Sequence, residues 1–325
     1  MTKNIKLDKK TLKALIREDF YSFLEKSFLE THGGTRMNHN FHLKVIAKIV
    51  NDVLQGKNNR LIINLPPRSL KSFSFSVALV AYALGKDPSL KFICVSYNQD
   101  LADSFGLQTL NIMQSKWYKD IFPNTRIDKK SSGKSNFTTT KGGGRFATSI
   151  EGTLTGRGAD IIIIDDPIKP DEAVSDLQRN KVNNWYSSTL ISRLNNKQTG
   201  TIITVMQRVH EEDLTGFLLD QHSSWRHIKF PAIATEREIW DLENGEKFIR
   251  EKGEALEPQR EPIDSLLATK SSMGSYHFSG QYQQDPLPQE GTYIKKAYLR
   301  YYTPEELPNP DYVLLSLDSA FKTGD

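Results

Sequence analysis

The 325-residue sequence holds a single cysteine, no long apolar run and almost no net charge. One thiol, Cys94, cannot close an internal disulfide. Its place in the apolar run KFICVS marks a buried group in a reducing compartment and not a catalytic nucleophile. No apolar stretch approaches the roughly 20 residues of a membrane-spanning helix, and the opening MTKNIKLDKKTLKALIRED lacks the apolar core of an export signal. The expectation is a cytosolic protein without a membrane partner. Lys and Arg number 43 against 39 Asp and Glu, a formal charge of +4, so a nucleic-acid partner would have to be met by a local patch. Neither an internal repeat nor a low-complexity tract is evident.

What is present is enough for a core: 38% of the residues are hydrophobic, sufficient for one large or two smaller domains. Val45, Ile46, Ile49, Val50, Val53 and Leu54 recur at helical spacing and stop at Gly56, which predicts an amphipathic helix leading into a strand at RLIINL. After a short loop, SFSFSVALVAYALG reads as a buried helix ending at Gly85. Further strands are predicted at 91–96, 159–165 and 200–206, separated by segments long enough for crossover helices. The fold class is α/β, with a mainly parallel sheet flanked by helices. NFTTTKGGGRFATSI adds an antiparallel hairpin around Gly142, Gly143 and Gly144. From about 235 to 310 the sequence turns polar and proline-rich, the texture of a connecting region with short helices. YVLLSLDSA, at 312–320, then reads as a fresh buried strand ending in a carboxylate.

The loop in NLPPRSLKS, residues 64–72, ends as phosphate-binding loops do, with a lysine and a hydroxyl at a helix start. Amide dipoles there favour anions, and Lys71 adds its charge while Ser72 offers an oxygen to magnesium. Both positions where such loops carry glycine are leucines, Leu65 and Leu70. Pro66 and Pro67 fix their own φ angles but donate no amide hydrogen, so Arg68 is the candidate for the missing positive charge. The candidate nucleotide contacts are Pro67, Arg68, Ser69, Leu70, Lys71 and Ser72.

The companion element is IIIIDDP, residues 161–167, whose isoleucines need burial on both faces and deliver Asp165 and Asp166 to the strand's carboxyl end. Asp165 would hold magnesium and Asp166 would orient or deprotonate the attacking water. Read alone, the pair could equally cap the next segment. Taken with Lys71 and Ser72, expected on a neighbouring strand, the pair favours phosphate chemistry. Arg157, between Gly156 and Gly158, is an arginine-finger candidate, and a solvated arginine in a turn is its commoner fate. Gln207 and Arg208 follow the 200–206 strand, where a polar side chain could sense a γ-phosphate. His210 has no His or Cys partner at a metal spacing, and Glu211, Glu212 and Asp213 more simply favour a helix start.

The order LIINLPPRSLKS, TLTGRGADIIIIDDP, TVMQRVHEEDLTG and SGQYQQDPLPQEG resembles the large terminase subunit of tailed bacteriophages and prophages, from roughly residue 40 to 325. Leu70, where relatives commonly carry glycine, departs from that pattern. The resemblance implies an N-terminal helical region (1–58), a P-loop ATPase core (59–235), a connecting region (236–310) and the start of an RNase H-like nuclease (311–325). It further implies ATP and Mg²⁺ as cofactors, Asp318 as a first nuclease metal ligand, and double-stranded DNA, a portal protein and a small terminase subunit as partners of a homo-oligomeric ring. Two-metal cleavage needs several carboxylates from separate strands, and only Asp318 has appeared by residue 325, so the expectation is a truncated nuclease that does not cut in this chain. A divalent metal, Mg²⁺ or Mn²⁺, is expected at that site only in a longer chain. Two other readings stand beside this one: a helicase-like DNA-dependent ATPase, and a non-hydrolysing prophage remnant that binds DNA or proteins.

Overall fold

The computed structural model describes residues 8–221, 224–242 and 245–288. The predicted buried strands form: β1 (Arg60–Asn64), β2 (Lys91–Ser96), β6 (Ile161–Asp165) and β7 (Thr201–Met206). They run parallel to one another and to β5 (Gly144–Ser149) and β8 (Arg226–Lys229), while β3 (Ile127–Ser132) and β4 (Asn136–Thr139) add an antiparallel edge. The spatial order is β3-β4-β5-β2-β6-β7-β1-β8.

Alternation along the strands divides the core in two. Ile63, Cys94, Ile163 and Val205 pack with α1 (Lys9–Glu18), α2 (Phe20–Thr31), α3 (Phe41–Leu54), α4 (Val80–Lys86), α5 (Gln99–Gln114) and α6 (Lys116–Ile121) on one face. Ile62, Ile93, Ile162 and Ile202 pack with α7 (Asp176–Trp185) and α8 (Leu214–Gln221) on the other. Cys94 is buried and free, as its apolar setting predicts.

The expected hairpin is present, but its second arm, β5, also joins the main sheet through parallel pairing with β2. Its glycines serve packing: a Cβ on Gly143 would lie 2.4 Å from the main chain of Ser89, and one on Gly144 would lie 2.2 Å from the oxygen of Phe137. The connecting region departs from the expectation of short helices. It holds a two-stranded antiparallel sheet, β9 (Glu238–Asp241) with β10 (Lys247–Arg250), and a 19-residue helix, α9 (Ile263–Gln281), broken at Gly274. Proline and charge had masked these elements, because an exposed ribbon and a solvated helix need few apolar residues. A third small core of Ala232, Ala255, Leu266 and Phe278 ties α9 down. The described residues all fall in one compact unit that ends at Pro288. The strand expected at 312–320, and Asp318 with it, lie outside the described residues.

Candidate active site

The loop leaving β1 adopts the backbone that glycines normally supply, without glycine. Arg68 and Leu70 both lie in the left-handed region, with φ of 62° and 58°. For an L-residue that conformation costs roughly 1–2 kcal/mol each. Leu70 offsets part of the cost by packing its half-buried side chain on the core. The main-chain nitrogen of Ser74 donates to the oxygen of Leu70, 2.9 Å away, so the helix starts directly after the turn. Lys71 and Ser72 occupy its first turn, and the helix continues as a π-helical stretch, Phe73–Leu79, before α4. Arg68 is exposed at the loop tip. Ser69 is buried, and its hydroxyl has no hydrogen-bond partner.

Lys71 and Ser72 meet Asp165 and Asp166, although not from adjacent strands. β7 lies between β1 and β6, which corrects the expectation of neighbouring strands, since separation along the chain carries no strand order. Lys71 Nζ stands 3.0 Å from Asp166 Oδ2. Ser72 Oγ donates to Asp165 Oδ1 at 2.9 Å, and Ser76 Oγ, one turn further along the same face, donates to Oδ2 at 2.6 Å. Asp165 is 1% exposed. Burial, and after it the neighbouring Asp166, push its carboxyl up to about 7, against the opposing pull of Lys71 and the two serine hydroxyls.

Asp166 also lies at positive φ, 43°. Its backbone is held there from both sides, its nitrogen donating to the oxygen of Val205 at 3.0 Å and its oxygen accepting from the nitrogen of Tyr97 at 3.2 Å. Strain of this kind persists only where the surroundings over-determine it. The main-chain nitrogen of Gln207, at the end of the intervening β7, donates to Asp166 Oδ1 at 3.1 Å. Gln207 Oε1 is buried and has no hydrogen-bond partner.

Arg208 is committed elsewhere. Its Nε donates to both oxygens of Asp213, at 3.0 and 2.9 Å, and Nη2 to the main-chain oxygens of His210 and Glu211. Asp213, 1% exposed, further accepts from the nitrogens of Val209 and Gly216 and so begins α8. The acidic run does start a helix, but Asp213 is the residue that organises it, and sequence spacing gave no sign that it pairs with Arg208. His210 accepts at Nδ1 from the nitrogen of Glu212, a local turn contact.

Arg157 is not brought to this cluster within one chain. It precedes β6, and so lies at the amino end of a strand whose carboxyl end carries Asp165, roughly 13 Å of strand away. There its exposed guanidinium rests 3.8 Å over the ring of Phe146.

The donor set suits a magnesium-bound phosphate chain. Asp165 and Ser72 offer hard oxygens, and among the described residues no group of three or more His, Cys, Asp or Glu could hold a metal alone. Magnesium commonly takes one or two protein oxygens and the rest from phosphate and water. No helix among the described residues is long and apolar enough to cross a membrane.

A family model described as "Terminase large subunit, T4likevirus-type, N-terminal" matches residues 62–272, a span that takes in the loop, both aspartates and the β7 exit. The chain belongs to this family. Solved structures similar to this terminase chain include the large terminase ATPase domain of Thermus phage P74-26, at 12% identity over 78% of this chain and 95% of that one, with a TM-score of 0.45. The HK97 bacteriophage large terminase is similar at 12% identity over 66% of this chain, with a TM-score of 0.42. A large terminase from a thermophilic bacteriophage, solved in complex with ADP, is similar at 10% identity over 57% of this chain, with a TM-score of 0.34. The chain spans 44% of the HK97 protein and 45% of the ADP-bound one. No curated protein matches the sequence.

Proposed function

We propose that this chain is the ATP-hydrolysing part of a motor that drives double-stranded viral DNA into procapsids. The observation that carries the reading is the meeting of Lys71 and Ser72, from the loop after β1, with Asp166 and Asp165, from the end of β6. In this reading Lys71 and the amides of Ser69 to Ser72 bind phosphate oxygens. Ser72 and Asp165 hold magnesium, which supplies charge neutralisation on the phosphates when bound. Asp166 orients the attacking water and takes its proton, and Gln207, offered between the two strands, contacts the γ-phosphate. Arg157 acts on the nucleotide of a neighbouring subunit. Its partners are duplex DNA, a portal protein, a small terminase subunit and further copies of itself in a ring, inside a bacterial host.

Lys71→Ala and Asp166→Asn test the assignment together. Lys71→Ala is expected to lose nucleotide binding and turnover. Asp166→Asn is expected to bind nucleotide with magnesium and hydrolyse it poorly, because only water activation is lost. Equilibrium nucleotide binding and phosphate release separate the two, and normal turnover by Asp166→Asn would remove Asp166 from the role.

A further inference from the structure

The end of α9 grips the loop that leaves β7, and the grip falls on the residue next to Gln207. Gln284 Oε1 accepts from the main-chain nitrogen of Arg208 at 3.0 Å. Its Nε2 donates to the oxygen of Gln281 at 2.6 Å, its own nitrogen donates to the oxygen of Gly280 at 2.9 Å, and the residue is 1% exposed. It is also one of the few non-glycine residues at positive φ, 57°. Gly280 completes the contact: a Cβ there would lie 3.1 Å from the oxygen of Arg208, so the helix end lies directly on this backbone.

Two consecutive amides of one loop are therefore read by two different parts of the protein. The nitrogen of Gln207 donates to Asp166 Oδ1, and the nitrogen of Arg208 to Gln284 Oε1. Between them the loop has little freedom, because Asp213 holds Arg208 Nε and the nitrogen of Val209. The two amides lie on adjacent peptide planes joined at the Gln207 Cα, so a change at Asp166 that shifts the first acts directly on the second, and the hold of Asp213 on Arg208 and Val209 limits how far the dihedrals between them can absorb it. We infer that Gln284 is a positioning residue that couples the state of the Asp166 site to the segment leaving α9. The inference rests on the nucleotide reading of that site. Gln283 is the built-in comparison: its side chain makes the same number of hydrogen bonds, but both go to the main chain of Ile233 at 2.9 Å and not to the β7 exit.

Hydrogen exchange with and without saturating magnesium and a non-hydrolysable ATP analogue tests it. In the wild-type protein both the phosphate loop, residues 65–72, and residues 275–288 are expected to exchange more slowly with the analogue. In Gln284→Ala, and in Gln284→Met, which keeps the volume should the alanine variant fold poorly, the loop response persists. The 275–288 response is expected to drop about tenfold, the weight of one buried hydrogen bond. Gln283→Met is expected to keep both responses. Turnover should follow: kcat falls in the Gln284 variants with KM unchanged, and stays at the wild-type value in Gln283→Met. A wild-type 275–288 segment that ignores the analogue while the loop responds would overturn the coupling, as would equal effects from Gln283 and Gln284. Absence of any response at 65–72 would instead overturn the nucleotide reading beneath it.

Discussion

The buried ring of His42 donates from Nε2 to the main-chain oxygen of Ser69, 3.3 Å away, so α3 braces the loop that leaves β1. This bond requires the proton on Nε2, and Nδ1 is buried with no partner. A second proton would have nothing to bond to. Burial accordingly pulls the imidazole down from 6.5 to about 4, with Glu257 and the oxygen of Ser69 opposing the fall.

A group depressed in the folded state stabilises the protein above its unfolded pKa and loses that contribution as pH falls. For His42 the window runs from about 6.5 down to about 4, and a shift of that size corresponds to on the order of 3 kcal/mol. His227, held by Asn64 Oδ1 at 2.7 Å and also lowered to about 4, adds a loss of the same sign, while Asp165 acts with the opposite sign. The informative quantity is thus a difference. Urea unfolding of wild type and His42→Gln at pH 7 and pH 4.5 is expected to show a smaller pH dependence in the variant. Parallel pH profiles would mean that His42 titrates normally in the fold.

Asp165 gives the complementary prediction. Its carboxyl, raised to about 7 by burial and by Asp166, costs stability as pH rises from about 4 to about 7 in the metal-free protein. On the proposed reading, magnesium bound to Asp165 displaces that proton, so its affinity in the presence of nucleotide is expected to weaken about tenfold from pH 8 to pH 6. The same titration of Asp165→Asn corrects for protonation of the nucleotide. If both proteins show one pH profile, Asp165 is not the ligand that titrates.

Leu70 carries the prediction on the altered loop. The left-handed backbone at φ 58° is poorly tolerated by β-branched side chains, whereas glycine adopts it freely. Leu70→Ile is expected to lower thermal stability and weaken nucleotide binding, by about 1 kcal/mol or more. Leu70→Gly relieves the strain but gives up packing on the core, so its stability should lie near wild type with binding retained. Weaker binding in Leu70→Gly than in Leu70→Ile would show that the side chain, and not the turn, serves the site.

The parts of this design that were legible in the sequence are those encoded locally. Four isoleucines followed by two aspartates announce a buried strand with carboxylates at its end, and Lys71 with Ser72 announces a helix start. That Leu70 would take up a glycine's conformation was not legible, because the turn is imposed by β1 and the helix on either side. Nor was the insertion of β7 between β1 and β6, which places Gln207 beside Asp166. The pairing of Asp213 with Arg208 and the part played by Gln284 were hidden for the same reason. Each acts on the Arg208 segment through tertiary contact, and an acidic run or a polar QYQQ stretch looks the same whether solvated or buried.

Arg157 carries the last prediction, and its position decides the form of the test. The residue is exposed, stacks on Phe146 and precedes β6 at the end opposite Asp165, away from the Lys71 and Asp166 cluster of its own chain. In dilute, unassembled protein Arg157→Ala is therefore expected to leave turnover unchanged. An arginine that reaches a neighbour's nucleotide behaves differently in the ring, where finger residues contribute about 10³ to 10⁵ in rate. Assembled Arg157→Ala subunits should lose most of their activity, as should assembled Lys71→Ala subunits. A ring mixed from the two should recover part of it, because a subunit that lacks Lys71 still offers Arg157 to the intact phosphate loop beside it. Recovery should peak near equal proportions, where such pairs are most frequent. If no mixing ratio restores hydrolysis, or if Arg157→Ala alone assembles and turns over normally, the arginine is a surface residue resting on a ring and the catalytic cation must come from elsewhere.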